Sequence, residues 1–270
     1  MTGTSAEAIA EEALTAYDAR RQIQPFTQRF ADFDIATAYA ATARIRRKRE
    51  ARGEAHAGRK IGFTNRSIWQ QYNVDCPIWG DVYATTIQNS ANGTLLLAPF
   101  CEPQIEPEIL FRLASSPHPG MNDTQLLDCI EWVAHGFEIV QSIFPGWVFA
   151  VPDAIAGFGM HGALVVGPPL AVTSANRAAL LDALTRFDVT LSRDGQAIDR
   201  GQAMNVLDGP LSALRHLVDL LSRERSNPPL RAGEIVTTGT LTRAFPVRPG
   251  ESWSTALSHI DLPGLSIRFG

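Results

Sequence analysis

The chain has 270 residues, 45% of them apolar and 19% charged, with a net charge of −4 and a pI near 5.9. That balance fits an ordinary soluble globular protein of one large or two small domains and excludes a nucleic-acid binder working through bulk charge. No apolar run approaches the roughly eighteen residues of a membrane span, and the opening "MTGTSAEAIAEEALTAYDARR" lacks the apolar core of a secretory signal.

The first elements read as helices. Thr4 to Glu7 fits a capping box ahead of an Ala-rich helix running to about Gln22. A second helix is expected from Asp34 to near Gly53, with Ile35, Ala38, Tyr39 and Ile45 on one face. Its closing run "RIRRKREAR" reads as cations favoured at a helix C-terminus. From about Gly58 the texture changes to short apolar runs between Gly, Pro and Asn. "KIGF", "GTLLLAP", "IEPEILFRL", "GFEIVQSIF", "GALVVG", "RFDVTLS", "EIVTTGT" and "GLSIRF" read as strands. Asp194-Gly195 signals a hairpin. Two amphipathic helices interrupt them. One is "TQLLDCIEWVAHG", stopping at Gly136; the other follows Asp208 and presents Leu211, Leu214, Leu217, Val218 and Leu221. Strands out of βαβ alternation point to an α+β fold with the N-terminal helices packed outside. The expected division is a helical part at 1–57 and a catalytic domain at 58–270, together one compact unit. Cys76, Cys101 and Cys129, odd in number and without C-x-x-C spacing, suit a reducing cytoplasm.

In "PQIEPEILFRL", Glu106 and Glu108 are two residues apart on a strand, so their side chains share a face. Paired carboxylates near an apolar interior repel one another and need a compensating cation or solvent. Glu138, inside the apolar run "GFEIVQSIF", is a third candidate, placed just after an expected helix stop. Three carboxylates without a Cys or His pattern point to Mg²⁺ or Mn²⁺ with oxygen coordination. Lys60 in "GRKIGF" is the basic partner candidate; the alternative is a strand-edge lysine.

"KIGFTNRSIWQQYNVDCPIWG", "IEPEILF", "GFEIVQS", "DAIAGFGMHGALVVG", "GPLSALRHLVDLL" and "LRAGEIVTTGTLT", in that order, resemble the 2-keto-4-pentenoate hydratase and 4-oxalocrotonate decarboxylase family of the fumarylacetoacetate hydrolase superfamily. The resemblance implies a mixed β-sheet roll core, a divalent metal, a homo-oligomer and a 2-oxo or 2-hydroxydienoic acid substrate from aromatic-ring catabolism. By position, Glu106, Glu108 and Glu138 look like metal ligands, Lys60 like the active-site lysine and Thr240 like a substrate-contacting hydroxyl. The implied chemistry is Lewis-acid stabilisation of an enolate, with water adding to the far alkene carbon or a distal carboxylate leaving as CO₂. Lys60 would move a proton or neutralise the substrate oxygen, and proton transfer would favour a pKa lowered by burial.

Two departures stand out. Where similar hydratases carry an acid after the proline of "VDxPxxG", this chain has Ile78 and Trp79, with Asp75 retained upstream. Where they carry "ADNAS", this chain has "AGFGM", with Gly157, Phe158 and Met160. Trp79, Phe158 and Met160 then read as pocket wall or core. His161 reads either as an acid or base or as a satisfied buried histidine. Asp153 reads as a turn cap, and His135 as a helix C-terminal cation. The leading expectation is a metal-dependent hydratase. The runner-up is a decarboxylase of a 4-oxalocrotonate-like diacid, using the neighbourhoods of Arg66 or Arg243. Hydrolysis of an acylpyruvate would need a Glu–His pair to activate water, without a clear counterpart here. A metal-binding, non-catalytic homologue is the alternative outside enzymes.

Overall fold

The computed structural model describes residues 5–72, 74–89, 93–223 and 226–270. In chain order, α1 (Ala6–Asp18), α2 (Phe26–Arg29) and α3 (Ile35–Ala51) precede β1 (His56–Gly62), α4 (Trp69–Tyr72), β2 (Ile78–Tyr83), β3 (Ile87–Asn89), β4 (Thr94–Leu95) and β5 (Gln104–Leu113). Next come α5 (Asp123–Asp128), β6 (Ile130–Val140), α6 (Val151–Ala156), β7 (His161–Val166), β8 (Leu170–Ala171), α7 (Arg177–Ala183), β9 (Asp188–Arg193) and β10 (Gln196–Gln202). The last described elements are α8 (Pro210–Arg223), β11 (Ile235–Thr237), β12 (Phe245–Pro246), β13 (Ser252–Ser258) and β14 (Ser266–Phe269).

Among the described residues the strands form two mixed sheets. The larger runs β2-β1-β11-β5-β6-β7-β3, with β12 added beside β5 and β8 beside β6. The smaller runs β10-β9-β13-β14-β4. The large sheet curls back on itself: a Cβ added to Gly80 in β2 would lie 2.5 Å from the carbonyl oxygen of Phe158, just ahead of β7. One face of this sheet, carrying Ile61, Trp79, Ile109, Phe111 and Val133, packs against α1, α3, α6 and α8. Ile105, Phe137, Ile139 and Val165 meet Leu191, Trp253, Ile267 and Phe269 of the smaller sheet. This is an α+β fold with a mixed-sheet roll core.

Local signals explain most elements. Ser5 caps α1 by accepting from the Glu7 N–H; Thr4, expected to open that cap, lies outside the described residues. Asp34 caps α3 through the Thr37 N–H at 2.8 Å. Asp194 and Gly195, both at positive φ, make the hairpin between β9 and β10. All five expected apolar positions of α8 are buried.

Other expectations are corrected. Ile35 is exposed, and α3 buries Arg46 and Arg49 instead. The basic run is therefore more than a helix terminus. Arg46 grips buried Asp81 at 2.9 and 3.0 Å, and Arg49 pairs with Glu54 beneath the ring of Tyr83. Burial raises the Asp81 pKa, but Arg59, His56 and Arg46 outweigh it and hold the carboxyl at about 2. The helix expected at 124–136 stops at Asp128, and Ile130–Val140 is a strand between β5 and β7. From Val133 onward this strand is buried on both faces, so the run shows no clean two-residue alternation to separate strand from helix.

Candidate metal centre and active site

Register assembles the acids. Glu106 of β5 pairs directly with Glu138 of β6, and Glu108 follows two residues on, so all three carboxylates project from one face. Their nearest oxygens lie within 4.8 Å of one another. Glu108 and Glu138 are fully buried; Glu106 is the partly exposed member. Register also carries Lys60 to this face, since Lys60 pairs with Thr237 and Thr237 with Leu110, two residues beyond Glu108. Lys60 Nζ lies 3.3 Å from Glu138 Oε2.

The backbone closes around these groups. The Gly239 N–H donates to Glu108 Oε2 at 2.8 Å. Gly239 has φ +96°, and a Cβ there would lie 1.9 Å from Thr64 Oγ1, so only glycine brings this amide to the carboxylate. Phe158, Gly159 and Met160 take consecutive left-handed conformations, with φ of 66°, 61° and 64°. For Phe158 and Met160 this costs about 1–2 kcal/mol each, a strain concentrated beside the acids. It brings Gly159 against Lys60, where an added Cβ would lie 3.1 Å from Lys60 Cδ.

The electrostatics follow from burial of like charges. Burial pushes Glu106 up to about 7, with Lys60 opposing and Glu138 reinforcing. Glu108 is raised by burial and by the charges of Glu138 and Glu106. Burial also raises Glu138, but Lys60 and the hydrogen bond from His161 outweigh it, holding it at about 2. For Lys60 the lowered pKa that proton transfer would favour is not what the surroundings give. Burial does lower its pKa, but Glu138, Glu106 and Glu108 together raise it above the ordinary lysine value. The side chain is an ammonium.

The three-carboxylate cluster fits a divalent cation by its donor chemistry. Glu108 Oε1 and Glu138 Oε2 are buried without a hydrogen-bond partner, the Lys60 ion pair at Oε2 aside. Hard oxygen donors left unpaired in an apolar interior are what a hard cation requires.

Beside the cluster is a cavity of about 460 Å³. Lys60, Glu106, Ile78, Met160 and Thr240 line it, together with Phe149, Trp147 and Arg243. Other candidates lie elsewhere. Trp79 pairs with Ile61, one residue out of phase with Lys60, so it faces the helices and stacks on Tyr39 at 4.9 Å. Phe158 turns away and packs on Tyr17 at 4.6 Å. Asp75 is exposed and outside the cavity lining. His161 is buried behind Glu138: its Nδ1 is 2.8 Å from Glu138 Oε1 and its Nε2 2.8 Å from Thr86 Oγ1. Arg66 pairs with Asp208 at 2.6 Å and is not itself a lining residue, although its neighbours Asn65 and Ser67 line the cavity.

His135 is no helix-terminal cation. It lies buried within β6, bonded to the Glu108 carbonyl at 3.0 Å and Thr255 Oγ1 at 2.8 Å, and burial lowers its pKa to about 4. Asp153 accepts from the N–H groups of Thr27 and Ala150, a cap joining α2 to α6. Thr86 and the Gly239 amide escape sequence reasoning. Thr86 carries no chemical pattern, and a lone glycine in "TTGT" does not announce which carboxylate its N–H will meet.

No family model matches the chain. It is 28% identical over 239 residues to a 2-hydroxyhexa-2,4-dienoate hydratase of Comamonas testosteroni, covering 88% of each chain. It is 29% identical over 253 residues to a 2-keto-4-pentenoate hydratase of Paraburkholderia xenovorans (strain LB400), covering 93% of this chain and 90% of the relative. The 4-oxalocrotonate decarboxylase of Pseudomonas putida G7, solved with magnesium and adipate, superposes with a TM-score of 0.88 at 25% identity, over 98% of this chain and 97% of that one. A yeast fumarylacetoacetate hydrolase family protein shares the fold, with a TM-score of 0.55 at 14% identity over 80% of this chain and 93% of that one. The chain is a homologue of the 2-keto-4-pentenoate hydratases and 4-oxalocrotonate decarboxylases, built on the fumarylacetoacetate hydrolase fold.

Proposed function

We propose that the chain is a divalent-metal-dependent hydro-lyase that adds water to a 2-hydroxy-2,4-dienoate or a related 2-oxo acid. The observation that carries this is the buried Glu106, Glu108 and Glu138 cluster, with the Lys60 ammonium and a cavity alongside. Glu106, Glu108 and Glu138 would hold Mg²⁺ or Mn²⁺, which supplies a Lewis acid for the carboxylate and 2-oxygen of the substrate. Lys60 faces the cavity as an ammonium, so it neutralises the substrate's oxygen and holds a proton for delivery. The Gly239 amide and His161 orient Glu108 and Glu138. Thr240 borders the cavity, although its hydroxyl donates to the Thr242 carbonyl at 3.0 Å. Met160 and Ile78 exclude bulk water from the wall. The Glu106→Gln variant should fold yet lose turnover; full activity in that variant would contradict the reading.

Decarboxylation of a 2-oxo diacid is the second reading, favoured by the likeness to the decarboxylase over nearly the whole chain. Release of CO₂ from a vinylogous diacid separates it from hydration. The resemblance extends the proposal to a homo-oligomer in the cytoplasm, acting in aromatic-compound catabolism, with residues 1–57 as the outer part of one catalytic unit. No described helix is long and apolar enough to cross a membrane.

A further inference from the structure

We infer that helices α1 and α3 position Lys60 for its reaction: Tyr17 and Arg49 seat the ring of Phe158, and the peptide that follows Phe158 walls the stem of the lysine. The part Lys60 plays in turnover rests on the hydratase reading; Phe158, Tyr17 and Arg49 are positioning residues. On β2 the residue paired with Lys60 is Gly80. The space a side chain would take there is filled by the Phe158–Gly159 peptide, since a Cβ on Gly80 would lie 2.5 Å from the Phe158 carbonyl oxygen and 3.1 Å from Gly159 Cα. A Cβ on Gly159 would in turn lie 3.1 Å from both Gly80 Cα and Lys60 Cδ. A lysine stem is flexible unless something packs along it. Here backbone packs along it, and Nζ is held 3.3 Å from Glu138 Oε2.

That backbone does not hold itself. Phe158, Gly159 and Met160 are all left-handed, a conformation that residues with a Cβ keep only where their surroundings enforce it. Two anchors enforce it. At the far end the Met160 carbonyl accepts from the Gln141 N–H at 2.8 Å, just past β6. At the near end the buried Phe158 ring lies 4.6 Å from the Tyr17 ring of α1, with the Arg49 guanidinium of α3 6.0 Å from its centroid. Arg49 also faces Tyr17 at 5.1 Å and Tyr83 at 3.8 Å, and its Nε donates to Glu54 at 3.0 Å. One cation thus gathers rings from α1, β2 and the turn. Neither α1 nor α3 contributes a described residue to the cavity lining, so both act on the site through this turn.

The chain has two lysines, Lys48 and Lys60, so isotopic labelling at lysine Cε gives one magnetic-resonance signal for the site and one reference from Lys48, which pairs with Glu7 at the surface. In the metal-free full chain the two Cε protons of Lys60 should be inequivalent, as in a side chain held in one rotamer. Tyr17→Ala should average them and leave Lys48 unchanged. With Mg²⁺ and a 2-hydroxydienoate it should lower kcat about tenfold or more while KM changes by about twofold or less. Tyr17→Phe keeps the ring and should restore both readouts. Phe158→Leu keeps an apolar side chain in the seat; it should give the same pair of changes and decides the matter if Tyr17→Ala does not fold. Equivalent Cε protons in the unsubstituted chain overturn the inference. So does an unaltered Lys60 signal in the folded variants, or an averaged signal at full kcat. Absence of turnover by the unsubstituted chain removes the hydratase reading instead, and the spectra alone then decide the positioning.

Discussion

Lys60 Nζ meets Glu138 Oε2 at 3.3 Å although two strands, β11 and β5, lie between their positions in the sheet. Three strand spacings amount to about 14 Å on a flat sheet, beyond the reach of the two side chains. The contact exists because the sheet curls, and the curl makes a lysine the counter-charge of a carboxylate cluster built on distant strands. Charge balance at the site is therefore a property of the fold.

Removing that counter-charge should be costly. In Lys60→Met, three carboxylates share the interior without a cation, and the metal-free protein should lose about 3–5 kcal/mol of stability. Divalent cation should restore most of it, since it supplies the same compensation, while turnover stays abolished. Thermal unfolding with and without Mg²⁺, beside a turnover assay, checks both halves.

Glu108→Gln should behave in the opposite sense. Its carboxyl is raised by burial and by two neighbouring acids, so its charge is a burden on the metal-free protein. The amide keeps an oxygen for the Gly239 N–H. The metal-free variant should gain about 1 kcal/mol, while losing metal affinity and turnover by about a hundredfold or more. Chemical unfolding and calorimetric metal titration measure the two effects.

The raised Glu106 gives a pH dependence with a definite sign. Its folded value is about 7, above the ordinary carboxyl value of 4.5. Its contribution to metal-free stability is therefore fully present below pH 4.5 and is lost as pH rises through about 7. Metal binding requires the charged form, so the Mg²⁺-induced rise in melting temperature should grow between about pH 5 and 8. A series of melting curves with and without Mg²⁺ across that range checks it.

His161 should act on the metal through Glu138. Its ring bridges Glu138 Oε1 and Thr86 Oγ1, each at 2.8 Å, and it lies outside the cavity lining. His161→Ala should weaken metal affinity about 10–100-fold. Thr86→Val, which removes the ring's other anchor, should do so by less. Calorimetric titration with Mn²⁺ reads both without reference to turnover.

How much of this was legible in the sequence depends on which physical rule each residue obeys. Glu106 and Glu108 stand out because a two-residue spacing fixes a shared strand face whatever lies around it. The same rule, applied to "CPIWG", separates Ile78 from Trp79: the position in phase with Lys60 reaches the cavity, and its neighbour enters the helix-facing core. Phe158 and Met160 defeat that rule, because they sit in a left-handed turn whose side-chain directions no period describes. The run from Ile130 to Gly136 defeats it differently. Its first residues include exposed Glu131, but from Val133 onward both faces are buried, so no clean alternation marks a strand, and the expectation for His135 fails with it. Arg46 and Arg49 read only as helix-terminal cations because their partners, Asp81 and Glu54, are brought to them by packing and have no helical spacing.

The central claim is metal-dependent addition of water at the three glutamates. The most direct measurement is a mass-resolved assay of the chelator-treated protein with 2-hydroxypenta-2,4-dienoate, before and after Mg²⁺ is restored. The expected result is a gain of one water only when Mg²⁺ is present, lost in Glu106→Gln. Turnover that survives chelation, or an unchanged substrate mass with the metal bound, would contradict the account.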